Sequence, residues 1–294
     1  MTHLGRTAPN YGNGLWNMFE EEEEVDPEIR DTLLTHAQKL GEVPLLPTVA
    51  REVMMLLSTP SVGMGRVAQT VKQDPAMAAN LLRMANSAAF AAHGPVTSIR
   101  DALVRIGIEG TRRLLYQTST ARILAVKARP DLTARLQVRS GAVAHAAARI
   151  ATHHGSDAET TFLAGLLHDV GWAVGYGLLA RLQSSLPAEL ATDEVRAQRT
   201  VDALHTEIGA TLARSWNLPP SAVDAIAGHH QPAETRAGLM AHIVYAATHL
   251  CDTMGIGPVE PPEGELADNP IVKRLRLDRT SLAAIRVQLT EDLR

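Results

Sequence analysis

Apolar residues return every three or four positions along most of the chain, which is the spacing of one face of an α-helix. Alternation with a period of two, which predicts a half-buried strand, is rare, and alanine and leucine supply much of the apolar content. The pattern therefore predicts an all-α fold. The clearest stripe lies between residues 131 and 153 and consists of Leu136, Ser140, Val143, Ala147 and Ile150.

Polar residues with short side chains precede several of the predicted helices. Asp74, Ser98 and Asp157 stand where a side-chain oxygen can accept hydrogen bonds from the first free backbone N–H groups of a helix. A proline follows Asp74, and proline is favoured at the first helical position. We expect Thr48 and Ser221 to cap the helices that follow them in the same way.

Glycines mark the expected ends of several helices, because glycine accepts the left-handed backbone that often follows a helix. Gly107 is predicted to end the helix that starts at Ser98, and Gly171 the apolar helix that carries His168 and Asp169. The remaining predicted helices cover residues 31–40, 65–73, 111–125, 131–153, 201–216, 239–254 and 282–293, with others starting near 48, 75 and 221.

Residues 1–30 are predicted to form a flexible acidic tail. Five consecutive glutamates at positions 20–24 repel one another, and the glycines and asparagines before them favour disorder. The alternative is a short docking peptide whose apolar and aromatic side chains anchor on a partner. Those side chains are Leu15, Trp16, Met18 and Phe19.

The overall composition excludes several classes of protein. The net charge of −4 and the pI near 6.3 argue against a broad nucleic-acid footprint. A single cysteine, Cys251, excludes a disulfide framework within the chain and suits a reducing cytoplasm. We find neither a secretory start nor an apolar run of about 18 residues, so we expect a cytoplasmic protein without a membrane span.

The adjacent pair His168-Asp169 is the strongest candidate for chemistry. It follows an apolar helical run, so both side chains must face a polar cavity or find partners. A histidine and a carboxylate side by side supply a nitrogen and an oxygen to a metal ion in a large class of metal-dependent phosphohydrolases. The interpretation of this pair as part of a metal site depends on whether the sequence also contains the other metal ligands.

The order and spacing of the motifs resemble the HDOD domain, a bacterial relative of the HD phosphohydrolases. The resemblance covers about residues 42 to 255. It rests on Leu45 to Pro47, Asp74-Pro75, Leu81-Leu82 through Ala88, Ser98-Ile99, Ile106-Gly107, Gly165 to Gly171, His205 to Ala210, Trp216 to Pro219 and His229 to Pro232.

The resemblance implies an all-α fold in which a helical N-terminal lobe packs on an HD-like lobe. We assign residues 31–130 to the N-terminal lobe, 131–255 to the HD-like lobe, and 256–294 to a loop and a C-terminal helix. It also implies a role in bacterial signalling, because HDOD domains generally lack demonstrated hydrolase activity and commonly act as interaction modules.

The resemblance further implies that the metal site is degenerate. His205 and either His229 or His230 match later ligands, but the family pattern puts Arg139 where a histidine would stand and Thr248 at an Asp or Asn position. A guanidinium has no free lone pair and repels a cation. We therefore expect no bound metal and no other cofactor.

We hypothesise that Arg139 replaces the cation and pairs with Asp169. The alternative is that Arg139 extends to solvent and Asp169 only caps a helix. Asp252 lies one helical turn beyond Thr248 and could approach the same face. The other histidines show no spacing that defines a partner, and we interpret them as surface or helix-end residues: His145, His153, His154, His242 and His249.

Three functions follow for the chain. The first is a non-catalytic signalling scaffold that binds another protein. The second is a metal-dependent phosphohydrolase acting on a nucleotide or cyclic dinucleotide, with Arg139 holding phosphate. The third is a nucleotide sensor that binds in the same cleft without turnover. The missing ligands favour the first, and the composition carries no signal for an oligomeric state.

Overall fold

The computed structural model describes residues 25–41, 46–57, 59, 62–87, 90, 94–126, 129–230, 232, 238–256 and 265–293. Over these residues the chain is helical and contains no strand, which confirms the all-α prediction. The helices are α1 Pro27–Gly41, α2 Thr48–Leu57, α3 Met64–Val71, α4 Pro75–Ala85, α5 Ile99–Ile123, α6 Pro130–His154, α7 Ala158–Leu167, α8 Val170–Arg181, α9 Glu189–Thr192, α10 Glu194–Ser215, α11 Pro220–Gly228, α12 Leu239–Thr253, α13 Pro270–Arg274 and α14 Arg279–Asp292.

Three of the predicted helix caps are present. The Asp74 carboxylate accepts hydrogen bonds from two backbone N–H groups at the start of α4, and Asp157 does the same for α7. Ser98 accepts one from the backbone N–H of Asp101. The predictions for Thr48 and Ser221 were wrong, because Thr48 is already the first residue of α2 and α11 begins at the proline before Ser221.

The two glycines predicted to end helices behave differently. Gly107 breaks α5 with φ 76° and ψ 176°, a backbone conformation that residues with a side chain rarely adopt. Gly171 does not end a helix but lies in the first turn of α8. Helix α8 itself was not predicted from the sequence. A Cβ atom on Gly171 would come within 1.8 Å of the His205 carbonyl oxygen, so the glycine permits close packing of α8 on α10.

The N-terminal lobe is built from α2, α3, α4 and the first part of α5. Their buried apolar side chains form one cluster that includes Val53, Val67, Leu81 and Leu103. Helix α1, which the sequence assigned to this lobe, instead packs on α8 and α10 through residues such as Leu33. The predicted tail also extends too far, because residues 27–30 form the first turn of α1.

The HD-like lobe is assembled around α6, α7, α10 and α12. Helix α7 contacts α6 closely: a Cβ atom on Gly165 would lie 3.0 Å from the Ala144 α-carbon. This close approach brings the end of α7 beside the middle of α6. The predicted apolar stripe of α6 is buried throughout.

The C-terminal region is part of the core rather than a loop followed by one helix. A short 3-10 helix, Leu266–Asp268, and helix α13 lie within or just after the segment predicted as loop. The apolar face of α14, with Leu282, Ile285 and Leu289, packs into the same cluster as α6 and α12. Residues 265–293 therefore cover the two helices that carry Arg139 and Asp252.

One segment, Ala158–Arg181, is long and apolar enough to cross a membrane by length and composition. It contains α7, α8 and the turn between them, and 89% of its most apolar window is buried inside the fold. Burial against neighbouring helices accounts for this composition, since core helices are apolar on all sides.

Candidate functional site

The predicted His168-Asp169 pair forms the two-residue turn between α7 and α8. Both side chains are buried, with 0% of His168 and 3% of Asp169 exposed. The Nδ1 atom of His168 lies 2.8 Å from the Gly165 carbonyl oxygen, to which it donates. Its Nε2 atom lies 2.9 Å from Asp169 Oδ2.

Arg139 reaches this turn from α6 and is itself buried, with 8% of the residue exposed. Its Nε atom lies 3.3 Å from Asp169 Oδ2, and its Nη1 atom donates to Asp252 Oδ1 at 2.5 Å. The hypothesised pairing with Asp169 is present, and the alternative in which Arg139 extends to solvent is wrong. We call Arg139, Asp169 and Asp252 the arginine triad.

The charges of the arginine triad stabilise one another. Burial alone would raise the pKa of Asp169, but His168, His229 and Arg139 outweigh it and hold that pKa well below its usual range. Burial alone would lower the pKa of Arg139, and the carboxylates of Asp169 and Asp252 raise it instead. Arg139 and Asp169 are therefore both charged at neutral pH.

The second oxygen of Asp169, Oδ1, faces histidines from α10 and from the end of α11. His229 Nε2 lies 3.4 Å from this oxygen and His205 Nε2 lies 4.0 Å from it. His230 Nε2 lies 2.9 Å from His205 Nε2. One ligand atom from each of these four residues lies within 4.8 Å of all the others. We call Asp169, His205, His229 and His230 the histidine cluster.

The histidine cluster is buried apart from one member. His205 and His229 are 3% and 1% exposed, whereas His230 is exposed at the surface. Burial, followed by repulsion from His229, lowers the pKa of His205 to about 4. His205 is therefore neutral near pH 7, as a metal ligand must be.

The donor set fits a divalent transition-metal ion, because imidazole nitrogens and a carboxylate oxygen are its usual ligands. His229 Nε2 is buried and points at Asp169 Oδ1 from 3.4 Å. Arg139 cannot itself be a metal ligand. It contacts Oδ2 of Asp169, whereas Oδ1 of Asp169 faces the histidines. Arg139 and Thr248 were the basis for expecting no metal, and a metal-binding measurement tests that expectation.

Thr248, the residue of α12 that was predicted at the site, makes a hydrogen bond within its own helix. Thr248 is buried in α12, but its hydroxyl donates to the Tyr245 carbonyl oxygen at 2.7 Å, and Asp252 one turn later contacts Arg139. Asp252, rather than Thr248, is therefore the residue of α12 that contacts Arg139. The docking-tail residues lie outside the described residues: Leu15, Trp16, Met18 and Phe19.

Two further residues near the histidine cluster were missed. The centroid of the Trp172 ring lies 5.5 Å from that of the His205 ring, so Trp172 packs against the histidine cluster on the side of α8. Burial and the nearby charge of Asp169 raise the pKa of Asp202 to about 6. Asp202 precedes His205 by three residues on α10, and that helical spacing was the available signal.

The comparisons with known proteins identify the family of the chain. The sequence profile of the HDOD domain matches residues 43–232, and the chain belongs to the HDOD domain family. An uncharacterized protein of Treponema pallidum (strain Nichols) is 28% identical over 207 residues, covering 66% of this chain and 39% of that protein. Ribonuclease Y of Thermus thermophilus is 39% identical over 110 residues, covering 37% of this chain and 15% of that enzyme. The chain thus spans less than half the length of these two relatives.

Solved structures share the fold over most of the chain. An HDOD domain protein with unknown function from Geobacter sulfurreducens superposes with a TM-score of 0.66 at 23% identity, covering 90% of this chain and 96% of the other. A "Putative metal-dependent phosphohydrolase" from Shewanella amazonensis SB2B gives 0.65 at 18%, covering 90% and 98%. A "Putative signal transduction protein" from Marinobacter aquaeolei VT8 gives 0.62 at 21%, covering 90% and 64%.

Proposed function

We propose that the chain is a non-catalytic regulatory protein of bacterial signalling that acts by binding another protein. The observation that carries this proposal is the pairing of Arg139 with both Asp169 and Asp252 in a buried site. A guanidinium cannot act as a metal ligand, so it serves the electrostatic purpose of an ion without activating water. The proposal includes a cytoplasmic location, to which a single buried thiol is suited.

Burial of the site supports the absence of turnover. A group that hydrolyses a phosphate ester must come within hydrogen-bond reach of the ester or of the attacking water. Here 0% of His168, 3% of Asp169 and 1% of His229 are exposed. Among the described residues, these side chains are therefore closed to a substrate.

A protein partner is the favoured input for this module. The tail of residues 1–24 combines acidic and aromatic residues, a composition that suits docking on a partner. A nucleotide is the alternative input. It would be detected as thermal stabilisation, because a ligand at 100 times its dissociation constant adds about 2.7 kcal/mol.

Metal-dependent phosphohydrolysis is the second candidate, and the histidine cluster favours it. Four potential ligands converge there, and the names of the Shewanella structure and the Thermus relative refer to phosphohydrolase and ribonuclease functions. The same cluster would need an open coordination position for water, in addition to its protein ligands, to support this chemistry.

A hydrolysis assay separates the two candidates. The purified chain would be incubated with Mn²⁺, Fe²⁺ or Zn²⁺ and with bis(p-nitrophenyl) phosphate, cyclic dinucleotides or short RNA. We expect the same background rate for the wild-type protein and for Asp169→Asn, whose folding is checked by circular dichroism. Metal-dependent turnover that is lost in Asp169→Asn would establish the phosphohydrolase instead.

Partner capture tests the regulatory role directly. Because α1 begins at Pro27, removal of residues 1–24 leaves every described helix intact. A partner that crosslinks to the full chain and is lost after this truncation would identify the tail as the docking element. A partner that both forms retain would place the interface on the helical body.

A further inference from the structure

We propose that residues 15–24 of this chain dock on an exposed surface of its own N-terminal lobe. The surface lies on α2 and α5 and combines arginine with apolar side chains. We call it the arginine–apolar surface: Arg51, Met55, Arg100, Val104, Ile108 and Arg112. This inference rests on the proposed regulatory function, in which the tail captures a protein partner, and it names the site that holds the tail when no partner is bound.

The N-terminal lobe is positively charged, unlike the chain as a whole. Residues 46–126 contain nine arginines and lysines but only four aspartates and glutamates, whereas the whole chain has a net charge of −4. Two of the four carboxylates are engaged at helix starts. Asp74 accepts from backbone N–H groups of α4, and Asp101 accepts from the Ser98 hydroxyl. The lobe therefore attracts an acidic segment.

Two of the exposed apolar side chains follow an exposed arginine by one helical turn. Met55 is 63% exposed and lies four residues after Arg51 on α2. Val104 is 66% exposed and lies four residues after Arg100 on α5. Residues four apart share one face of a helix, so each pair presents an apolar group beside a positive charge.

Helices α2 and α5 are joined at this surface. Arg112 Nη2 donates to the Leu57 carbonyl oxygen at 3.3 Å. Leu57 is two residues beyond Met55, and Ile108, which is 39% exposed, precedes Arg112 by one helical turn. This hydrogen bond therefore places Met55 and Ile108 at the same junction of the two helices.

The charges of Arg51 and Arg100 are available to a bound segment. Both side chains are exposed, and neither lies within ion-pair distance of a carboxylate in the part of the chain that the structure describes. A carboxylate that reaches them therefore displaces no existing ion pair. Contact with an apolar segment would at the same time remove the neighbouring apolar side chains from water, which is favourable.

The tail carries the complementary residues in the complementary order. It lies outside the described residues, and its sequence places four apolar or aromatic side chains directly before five glutamates at positions 20–24: Leu15, Trp16, Met18 and Phe19. Aromatic anchors suit exposed apolar groups, and glutamates suit arginines. A nucleic-acid backbone would pair with the arginines but leave the apolar side chains without a partner, so a peptide segment is the favoured occupant.

The tail is long enough to reach the surface of its own chain. Val25 packs against the same apolar cluster as Ile123, near the end of α5. The 15 residues from Ile123 back to Ile108 correspond to about 23 Å of helix. Ten extended residues span up to about 35 Å, so residues 15–24 cover this distance.

Docking of the tail would make partner capture competitive. A segment that is tethered near its site has an effective concentration in the millimolar range, so even a weak contact keeps the site occupied. A partner must then bind the tail more strongly than the arginine–apolar surface does. The surface would therefore act as an internal brake on the docking element.

A fluorescein-labelled peptide of residues 13–24 tests the inference by fluorescence anisotropy. It is titrated with the full chain and with the chain that lacks residues 1–24, at low and at high salt. Two variants of the truncated chain change the surface, Val104→Asp and Arg100→Glu. Their matched controls are Val287→Asp on α14, where the valine is 63% exposed, and Arg274→Glu, an exposed arginine of α13. Circular dichroism checks the folding of each variant.

We expect the peptide to bind the truncated chain, and to bind more weakly at high salt. The full chain should bind it at least about ten-fold more weakly, because its own tail occupies the surface. Val104→Asp and Arg100→Glu should each weaken binding at least about five-fold, whereas both controls should match the unchanged truncated chain.

Three results would overturn the inference. The first is no peptide binding by the truncated chain, or equal affinity in Val104→Asp and Val287→Asp. The second is protection of residues 15–24 from hydrogen exchange that appears only as the protein concentration rises, which would assign the surface to a second copy. The third is binding of a short RNA but not of the peptide. A partner that still crosslinks through residues 1–24 would leave the proposed function intact in each case.

Discussion

Arg139 Nη1 lies 2.5 Å from Asp252 Oδ1, although 113 residues separate the two in the sequence. Asp252 approaches the guanidinium from α12, and Asp169 approaches it from the turn between α7 and α8. One buried cation therefore connects three segments of the HD-like lobe. Removing it would leave two buried carboxylates without their common partner.

Substitution of Arg139 should accordingly be strongly destabilising. We expect Arg139→Met to lower the free energy of unfolding by about 3–5 kcal/mol, because an unpaired buried charge remains. Denaturant unfolding measures this loss. The double variant Arg139→Met/Asp252→Asn should recover part of it, since one uncompensated charge is removed. A loss under about 0.5 kcal/mol for Arg139→Met would contradict the buried pairing.

Close packing of α8 on α10 predicts a sharp difference between two glycines of α8. A Cβ atom on Gly171 would lie 1.8 Å from the His205 carbonyl oxygen, whereas nothing lies within 4 Å of one on Gly177. We expect Gly171→Ala to lower the free energy of unfolding by at least about 2 kcal/mol. Gly177→Ala should leave it unchanged or raise it by up to about 1 kcal/mol. Equal effects in denaturant unfolding would argue against this helix contact.

The C-terminal helix should contribute to the core although it lies beyond the residues that match the family. Leu289 is 0% exposed and packs with residues of α6 and α12, whereas Val287 on the same helix is 63% exposed. Leu289→Ala should cost about 2–5 kcal/mol, and Val287→Ala should stay within about 0.5 kcal/mol. Matching values for both would mean that α14 is not packed as described.

His145 should make stability depend on pH. Burial lowers the pKa of His145 to about 4, and the nearby Asp292 only partly opposes this, while Arg113 and Arg149 add to it. An unfolded histidine titrates near pH 6.5, so between these values the unfolded chain binds a proton that the folded chain does not. The free energy of unfolding should therefore fall as the pH decreases from about 6.5 to about 4.

The size of this effect is measured by comparison with a variant. His145 contributes up to about 3 kcal/mol over the full interval, because each pKa unit corresponds to about 1.4 kcal/mol. Denaturant unfolding of His145→Gln at pH 7 and pH 5 should show a smaller difference than the wild type. The comparison removes contributions from other groups such as His205, which are common to both proteins. An unchanged difference would show that the pKa of His145 in the folded chain is close to its value in the unfolded chain.

Much of the helical architecture could be predicted from local chemistry. The caps at Asp74, Ser98 and Asp157 depend only on neighbouring residues, and all three are present. Gly171 was misread because its role depends on α10, a helix that is distant in sequence. His145 was interpreted as a surface residue, but its side chain is only 13% exposed and its ring packs against Phe162, a residue of α7. That contact follows from the packing of α7 on α6, which residue spacing does not reveal.

In the candidate site, too, some residues could be predicted from the sequence and others are brought together only by the packing of distant helices. Arg139, His168 and Asp169 could be placed together because the family pattern relates their positions. The family pattern pointed to Thr248 rather than to Asp252 one turn later, because the rotation and height of α12 relative to α6 decide which of the two reaches Arg139. The orientation of the His205 and His229 rings depends on which backbone carbonyls their Nδ1 atoms reach. Such contacts are properties of the fold rather than of any motif.

Anomalous diffraction from crystals grown with zinc or manganese tests the central claim most directly. The claim is that the guanidinium of Arg139, rather than a metal ion, neutralises the Asp169 carboxylate at Oδ2, next to His168 Nε2. The expected result is that Arg139 remains on Oδ2 and that any ion is bonded to Oδ1 on the side of the histidine cluster. An ion bonded to both His168 Nε2 and Asp169, with Arg139 displaced, would contradict the account.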